Sequence, residues 1–554
     1  MNPDSLASAL FDVVAPILAE RRPGEDLGVS VADITLERPK NRDHGDWATN
    51  IAMKLAKKVG TNPRELAQLI AEAASSIEGV DSVEIAGPGF INIRLEAGAA
   101  GELARTIVDA AEKYGTNETM AGRSVNVEFV SANPTGPLHI AHTRWAALGD
   151  SIVRLMIASG ATAVREYYIN DAGAQMDRFG RSVLAAAQGE PTPEDGYPGE
   201  YITTLAQAVL LERPDLLNLP VEERQSVALE IAYRLQLAEI KSSLDRFNVP
   251  FDVWFSERTL HEKDASGLSD VDRSVDRLRE QGHVFDEDGA VWVRTTAFTD
   301  DKNRVIRRSN GEYTYFAADA AYYLNKTDRG FETKIYLLGA DHHGYVNRLK
   351  AVAGAAGEDP DYNIEVLIGQ IVSINGARLS KRAGNIIEMD DLLNWIGTDA
   401  LRYSLERSPA DSPLDLDPEI LRKRTNDNPV FYVQYAHART FNAAKNADDS
   451  GVDRSVFAPE TLTHETESAL LGALQEFPRL VAFAAEVREP HRVARYLEEI
   501  AGLYHRWYDN CRIVPLGDAT VEPVHHSRRW LNDATGQVLR NGLDLLGVSA
   551  PERM

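Results

Sequence analysis

Two histidines three residues apart, His139 and His142, follow the loop Ser131-Ala132-Asn133-Pro134-Thr135-Gly136-Pro137-Leu138. At this spacing both imidazoles fall on one face of a helix and can point into one crevice. Zinc chelation is one use for such a pair, but a helical zinc pair more often stands at i, i+4 with a nearby acid, and HIAH lacks both. Nucleotide chemistry is the second use: imidazoles donate to phosphate oxygens as charge develops on an α-phosphate and pyrophosphate leaves. Capping the helix is a third, plainer role. The preceding loop favours phosphate, because it joins a buried strand pattern to a helix start, where unpaired backbone N–H groups and the helix dipole attract anions.

A second cluster lies far downstream. Arg378-Leu379-Ser380-Lys381-Arg382-Ala383-Gly384-Asn385 is a small basic loop bounded by glycine, able to fold over a triphosphate with Lys381 as a mobile point charge. Alone it reads equally as an exposed turn. Paired with the histidine loop it is far more specific, since displacing pyrophosphate needs donors on both sides of the leaving group. In GADHHGY, Gly339 permits close approach and Asp341 suits a ribose hydroxyl, while His342 and His343 diverge on any regular element and make a poor metal pair. No resident metal site is expected.

These residues need a scaffold. Residues 125–130 read as a buried strand, 138–159 as a long helix and 163–169 as a strand, which makes a βαβ unit. Apolar strands at 334–338 and 364–368, the first followed by a helix from about Gly344, suggest a parallel sheet with helices on both faces. Ligands of such sheets sit beyond the carboxyl ends of the strands, where both clusters fall. Residues 190 to about 250 read as loop and charged helix, an insertion that adds nothing to the sheet. Residues 1–113 mix helices with short strands: 31–36 alternates like a strand, Pro63 marks a helix start, and a strand through Ile85 ends at Gly87-Pro88-Gly89. After Asp399 the pattern is helical nearly to the end, the last helix running from about Trp530 to Leu546 and closing on Gly547.

At 554 residues the chain is too long for one core. Its 44% hydrophobic and 26% charged residues exclude a disordered or fibrous protein, and a single cysteine, Cys511, excludes a disulfide framework. No apolar run is long enough to span a bilayer, and the stripe in MNPDSLASALFDVVAPILAE is broken by Asp4, Asp12 and Glu20, unlike a secretory signal. A formal charge of -25 counts against nucleic acid only at first sight, because a groove needs local basic density of the kind at 304–308, 378–382 or 422–424.

The histidine and lysine loops resemble the HIGH and KMSKS motifs of class I aminoacyl-tRNA synthetases. SANPTGPLHIAHTRWAALGD, EYYINDAGAQM, TYFAADAAYY, LLGADHHGY, ARLSKRAGN and GLDLLGVSAPERM narrow the resemblance to bacterial arginyl-tRNA synthetases, in order over nearly the whole chain. It implies a multidomain protein: an N-terminal α+β domain over 1–113 that meets the tRNA elbow, a Rossmann-type α/β catalytic core over 114–395, and a C-terminal all-α helical bundle of DALR type over 396–554 for the anticodon loop. ATP with Mg2+, L-arginine and tRNA(Arg) are the implied ligands, and a cytoplasmic monomer without membrane contact is the expected form.

By the same resemblance Glu128, Asn133 and Gln370 hold the amino-acid head group, and Tyr315, Asp319 and Glu257 surround a guanidinium. A guanidinium is a planar fork best met by carboxylates, and Asp319 stands one helical turn beyond Tyr315, so both would face one pocket. His139, His142 and Lys381 serve the phosphates, with Pro134, Thr135, Gly136, Ala141, Gly339, Asp341, His342, Leu379 and Ser380 around the nucleotide. Trp47, Asn50, Tyr432, Tyr435, His437 and Arg439 would touch tRNA, although each aromatic at helical spacing also suits a core position. Two departures stand out: Ala141 replaces the glycine of HIGH, and Arg378-Leu379 replaces the first two residues of KMSKS.

Overall fold

The computed structural model describes residues 3–39, 44–298, 300–370, 372–376, 387–517 and 519–554. Near the N-terminus the helices Pro3–Arg21, Ile51–Val59 and Pro63–Ala74 pack on an antiparallel sheet of β1 (Leu36–Glu37), β2 (Trp47–Thr49), β3 (Val80–Ala86) and β4 (Phe90–Leu95), ordered β1-β2-β4-β3. Pro63 opens its helix as expected, with the Asn62 side chain accepting from the Arg64 N–H at 2.9 Å. The strand expected over 31–36 is cut short. Asp33 Oδ2 accepts from the Ser30 N–H at 2.8 Å and curls 31–33 into a 3-10 turn, a local bond that outcompetes sheet pairing and leaves only β1.

The central sheet begins with β5 (Ser124–Glu128) and β6 (Thr162–Ile169), paired in parallel and joined by the helix Ile140–Ala158. The helices Ala174–Gln188, Glu200–Glu212 and Val221–Arg246 follow and bury their own apolar cluster around Phe179, Val209 and Ala232. The chain then returns as β7 (Val253–Ser256), parallel to β6. Sequence reading missed this strand, because Val-Trp-Phe-Ser neither alternates nor is uniformly apolar. It also missed the antiparallel ladder of β8 (Val284–Glu287), β9 (Ala290–Val293) and β10 (Arg304–Arg307). The helix Tyr315–Asp328 leads to β11 (Thr333–Gly339) and then β12 (Ile364–Gly369), completing the order β12-β11-β5-β6-β7.

Among the described residues the tail is helical with one exception. β13 (Val372–Ile374) pairs in parallel with β14 (Leu414–Leu416), so a strand interrupts the helices after Asp399. The long helices Pro429–Asp449, His491–Asn510 and Pro523–Leu545 form the bundle. One apolar cluster runs from Val127 and Ile335 of the sheet through Trp145 and Leu155 to Leu497 and Leu539 of the bundle, so sheet and bundle share a core.

A buried charge network crosses that shared core. Asp150, on the helix Ile140–Ala158, accepts from Arg165 Nε at 2.7 Å and from Arg154 Nε and Arg402 Nη2 at 2.8 Å each. Arg402 also donates to the Leu546 carbonyl at 2.9 Å and the Asn248 carbonyl at 2.8 Å, so sheet, insertion and chain end meet at one guanidinium. Gly547 lies against it at φ +62°, and a Cβ there would come within 2.5 Å of Arg402, so only glycine fits. Arg402→Met should lower the unfolding free energy by about 3–5 kcal/mol, because it leaves buried carboxylates short of their cation. Thermal or denaturant unfolding checks this, and an unchanged midpoint would show the network to be dispensable.

Candidate active site

β5 ends on Glu128, and the chain then turns through Val130 at φ +68° and Ser131 at φ +38°, two consecutive non-glycine residues in left-handed geometry. Such strain persists only where the surroundings over-determine it. Here Ser131 Oγ donates to Glu128 Oε1 at 3.2 Å and accepts from the Tyr168 N–H at 3.1 Å, while the Tyr167 hydroxyl donates to the Ala132 carbonyl at 2.9 Å. Pro134 and Thr135 are buried, Gly136 is half-buried, and Asn133 and Ala141 are exposed at the carboxyl end of the sheet. Tyr201, from the insertion, donates to the Thr135 carbonyl at 3.0 Å and lies against Gly136, where a Cβ would sit 3.4 Å from its ring. No motif marked Tyr201 in the sequence.

His139 is the N-cap of the helix Ile140–Ala158 and stands just outside it, whereas the spacing argument placed it inside. The two imidazoles stack with centroids 3.8 Å apart, and His142 Nδ1 accepts from the His139 N–H at 3.3 Å. That bond puts the proton of a neutral His142 on Nε2, the donor a phosphate oxygen requires. Capping and phosphate binding are therefore compatible. Lys381, Leu379 and Ser380 lie outside the described residues. The chain that follows them is described and pairs with the histidine loop: Ile140 N–H donates to the Ile387 carbonyl at 3.2 Å, and Met389 N–H donates to the Leu138 carbonyl at 2.8 Å.

The histidine helix also fixes Gln370. Arg144, fully buried two residues beyond His142, donates to the carbonyls of Gln370 at 3.2 Å and of Ser412 and Pro409 at 2.8 Å each. Trp145 covers Gly369, where a Cβ would fall 1.2 Å from the indole. Gly339 ends β11 opposite Gly369, and Asp341 and His342 lie in the 3-10 segment Ala340–Tyr345 that follows.

Three carboxylates converge at the strand ends: Glu128 as the last residue of β5, Glu257 just after β7, and Asp319 one turn into the helix Tyr315–Asp328. Burial pushes the Asp319 carboxyl up to about 7; the Tyr345 hydroxyl donates to it and opposes the shift, as does Arg348, while Glu257 and Glu128 reinforce it. Tyr168 stands among them, its hydroxyl bound to Glu257 and its ionisation suppressed by burial and then by all three carboxylates. Tyr315 differs from Asp319 in exposure: it is 69% exposed at the rim, its hydroxyl 3.8 Å from where a Cβ on Gly173 would lie. The site thus gathers negative charge in a partly dry cleft, an environment that selects a cation with several donors.

The residues expected at tRNA separate by exposure. Trp47 is 1% exposed in the N-terminal core, under the Arg38 guanidinium at 4.8 Å, and His437 is wholly buried with Nδ1 2.9 Å from the Pro551 carbonyl. Neither side chain presents to RNA, because packing claimed both. Asn50 and Tyr432 are half-buried, while Tyr435 is exposed and stacks on Phe431 at 5.9 Å. Arg439 lies 5.0 Å over Tyr435 and 5.1 Å over Tyr508, with Nη1 3.1 Å from His505 Nδ1. Tyr508 and His505 escaped sequence reading, although aromatic residues at helical spacing in LYHRWYDN mark them.

Comparison with known proteins follows the same division of the chain. Family models match the arginyl tRNA synthetase N terminal domain over residues 4–95, the class I (R) tRNA synthetase catalytic domain over 223–411 and the DALR anticodon binding domain over 433–554. The arginine–tRNA ligase of Renibacterium salmoninarum is 63% identical over the full length of both chains, and that of Micrococcus luteus is 59% identical, again over both in full. Among solved structures, Thermus thermophilus arginyl-tRNA synthetase aligns with a TM-score of 0.74 at 22% identity over 99% of this chain and 100% of its own, a likeness of fold. Mycobacterium tuberculosis methionyl-tRNA synthetase bound to methionyl-adenylate shares the fold more distantly, with a TM-score of 0.56 at 14% identity over 76% of this chain and 91% of its own.

Asp319 makes the cleft sensitive to pH. Below about 7 it holds a proton that a guanidinium ligand must displace, so affinity should fall with pH there by up to about tenfold per unit and level off above it. Asp319→Asn should weaken binding and flatten the profile. Titration of a guanidinium ligand on either side of that pH checks both, and a pH-independent affinity in the unmodified protein would remove Asp319 from the pocket.

Proposed function

The chain belongs to the arginyl-tRNA synthetase family, and from that membership we propose that it is an arginine–tRNA ligase that activates L-arginine with ATP and charges tRNA(Arg). The arginine carboxylate attacks the α-phosphate of ATP, pyrophosphate leaves, and arginyl-adenylate forms. The terminal ribose hydroxyl of tRNA(Arg) then attacks the arginyl carbonyl and AMP leaves. The observation that carries the choice of arginine is the convergence of Glu128, Glu257 and Asp319 at the strand ends. A buried carboxylate that loses a bidentate partner is expensive, so lysine and citrulline are rejected by contacts alone.

In this reading Glu128, Asn133 and Gln370 receive the head group, while Asp319, Glu257 and Tyr315 receive the guanidinium. Tyr315 stands exposed at the rim of the cleft. His139 and His142 donate to the α-phosphate side and Lys381 to the pyrophosphate, within a pocket completed by Pro134, Thr135, Gly136, Ala141, Gly339, Asp341, His342, Leu379 and Ser380. The protein contributes position and charge, with no covalent intermediate. Glu128 is engaged by Lys326 and Asp319 by Tyr345, which suits magnesium that enters with ATP and is held by phosphate oxygens and water.

Residues 1–113 contact the tRNA elbow, 114–395 perform activation, and 396–554 grip the anticodon loop, with Tyr432, Tyr435 and Arg439 as the tRNA-facing set and Asn50 at the elbow. The enzyme acts as a monomer in the cytoplasm; among the described residues no helix is long and apolar enough to cross a membrane.

Exchange of pyrophosphate into ATP tests the assignment. It should require arginine and, as the family resemblance implies, tRNA; exchange driven by another amino acid, or none with arginine, would sink it. Lys381→Ala should cut the exchange rate by about a hundredfold or more while arginine affinity stays within about twofold. Equal losses in both would make Lys381 a binding residue.

A further inference from the structure

Asp319, Tyr322 and Lys326 occupy successive turns of the helix Tyr315–Asp328 and leave it on one face. Lys326 is completely buried, and its ammonium donates to Glu128 Oε2 at 2.7 Å. The same ammonium lies 4.3 Å from the ring centroid of Tyr322 and 4.0 Å from that of Tyr336. Burial favours loss of its proton, and Glu128 and then Glu166 oppose this. Glu166 has ample partners of its own: Arg329 grips both oxygens at 2.7 and 2.8 Å, the Tyr322 hydroxyl donates at 2.6 Å and Asn126 Nδ2 at 2.7 Å. Lys326 is therefore left to Glu128.

A buried ion pair is costly, and apolar side chains of similar volume in place of both Lys326 and Glu128 would fill the same space about as stably. The choice of lysine over arginine is also informative. An ammonium is a point charge that can hold one carboxylate oxygen, whereas a guanidinium would take both. With Oε2 held from inside the protein, Oε1 stays toward Ser131 and the cleft.

We propose that Lys326 is a positioning residue for amino-acid activation: it anchors Glu128 Oε2 so that Oε1 accepts the substrate's α-ammonium. Because the same helix carries Asp319 two turns earlier, the Lys326–Glu128 pair also sets the distance between the two ends of the bound amino acid. This rests on the assignment of Glu128 to the head group, and the test separates the two claims.

The probes are L-arginine and 5-guanidinopentanoate, which keeps the guanidinium and carboxylate but lacks the α-ammonium. Both are measured on the full chain, by direct binding and as substrate or competitor in arginine-dependent exchange. The unmodified protein should prefer arginine, and Lys326→Met should lose most of that preference. Arginine KM should rise by about tenfold or more, kcat and the KM for ATP should change by less than about threefold, and affinity for the desamino analogue should hold. In a Glu128→Gln background the same substitution should add little. Arg329→Met removes the other cation of the network, the partner of Glu166, and should leave the preference intact. Lys326→Gln, which keeps a donor to Glu128 without the charge, supplies the same comparison where the methionine variant does not fold. Equal weakening of arginine and its analogue, full additivity with Glu128→Gln, or the same loss in Arg329→Met would overturn the role of Lys326 alone. No preference in the unmodified protein would overturn the assignment of Glu128, and that of Lys326 with it.

Discussion

Asp150 is the point on which the molecule turns. Its fully buried carboxylate is shared by Arg154, Arg165 and Arg402, which come from its own helix, from β6 and from the helix Thr398–Glu406. In a medium of low polarity such a carboxylate is tolerable only while its cations stay in place, and each cation has a further duty. Arg165 ties β6 to Asp252 just before β7, and Arg402 reaches the chain end at Leu546. The helix that begins at the histidine motif is thereby held to sheet and bundle at once.

The cleft follows the opposite rule. Among the described residues Asp319 and Glu257 have carboxylate neighbours and no hydrogen-bonded lysine or arginine, so negative charge is left for a ligand to neutralise. Tyr345 donates to Asp319 from the segment that also carries Asp341 and His342, so one hydroxyl links the carboxylate pocket to the segment that follows β11. Glu128 is the exception, satisfied on one oxygen by Lys326. Charge is compensated at Glu128 and withheld at Asp319 and Glu257, which favours a cationic ligand group at those two.

Much of this was legible in the residues. The strand before Glu128, the helix after His139, the strands ending near Leu338 and Ile368, and the helix opened by Pro63 each follow from patterns within a few residues: apolar runs, a helix-start proline, a glycine turn. The short strands were not. The strand expected over 31–36 lost residues 31–33 to a side-chain bond, and β7 through β10 are only four residues each, too short for periodicity to speak. Trp47 and His437 matched the motifs of a tRNA surface, yet packing buried both.

By itself the sequence determined the chemistry available: the stacked-histidine loop, the lysine loop, the acid at Asp319 and the order in which they occur, because identity and spacing are local properties. Only the tertiary structure decided how they meet. It made His139 a cap, brought residues 387–389 onto the histidine loop, clamped Gln370 through Arg144 and placed Lys326 beneath Glu128. Lys326 and Glu128 are 198 positions apart, and no local pattern encodes a contact at that separation. Such pairs form only when the sheet order and the register of the helix Tyr315–Asp328 are set by burial of the whole core, whose free energy is spread over many residues and written in none of them singly.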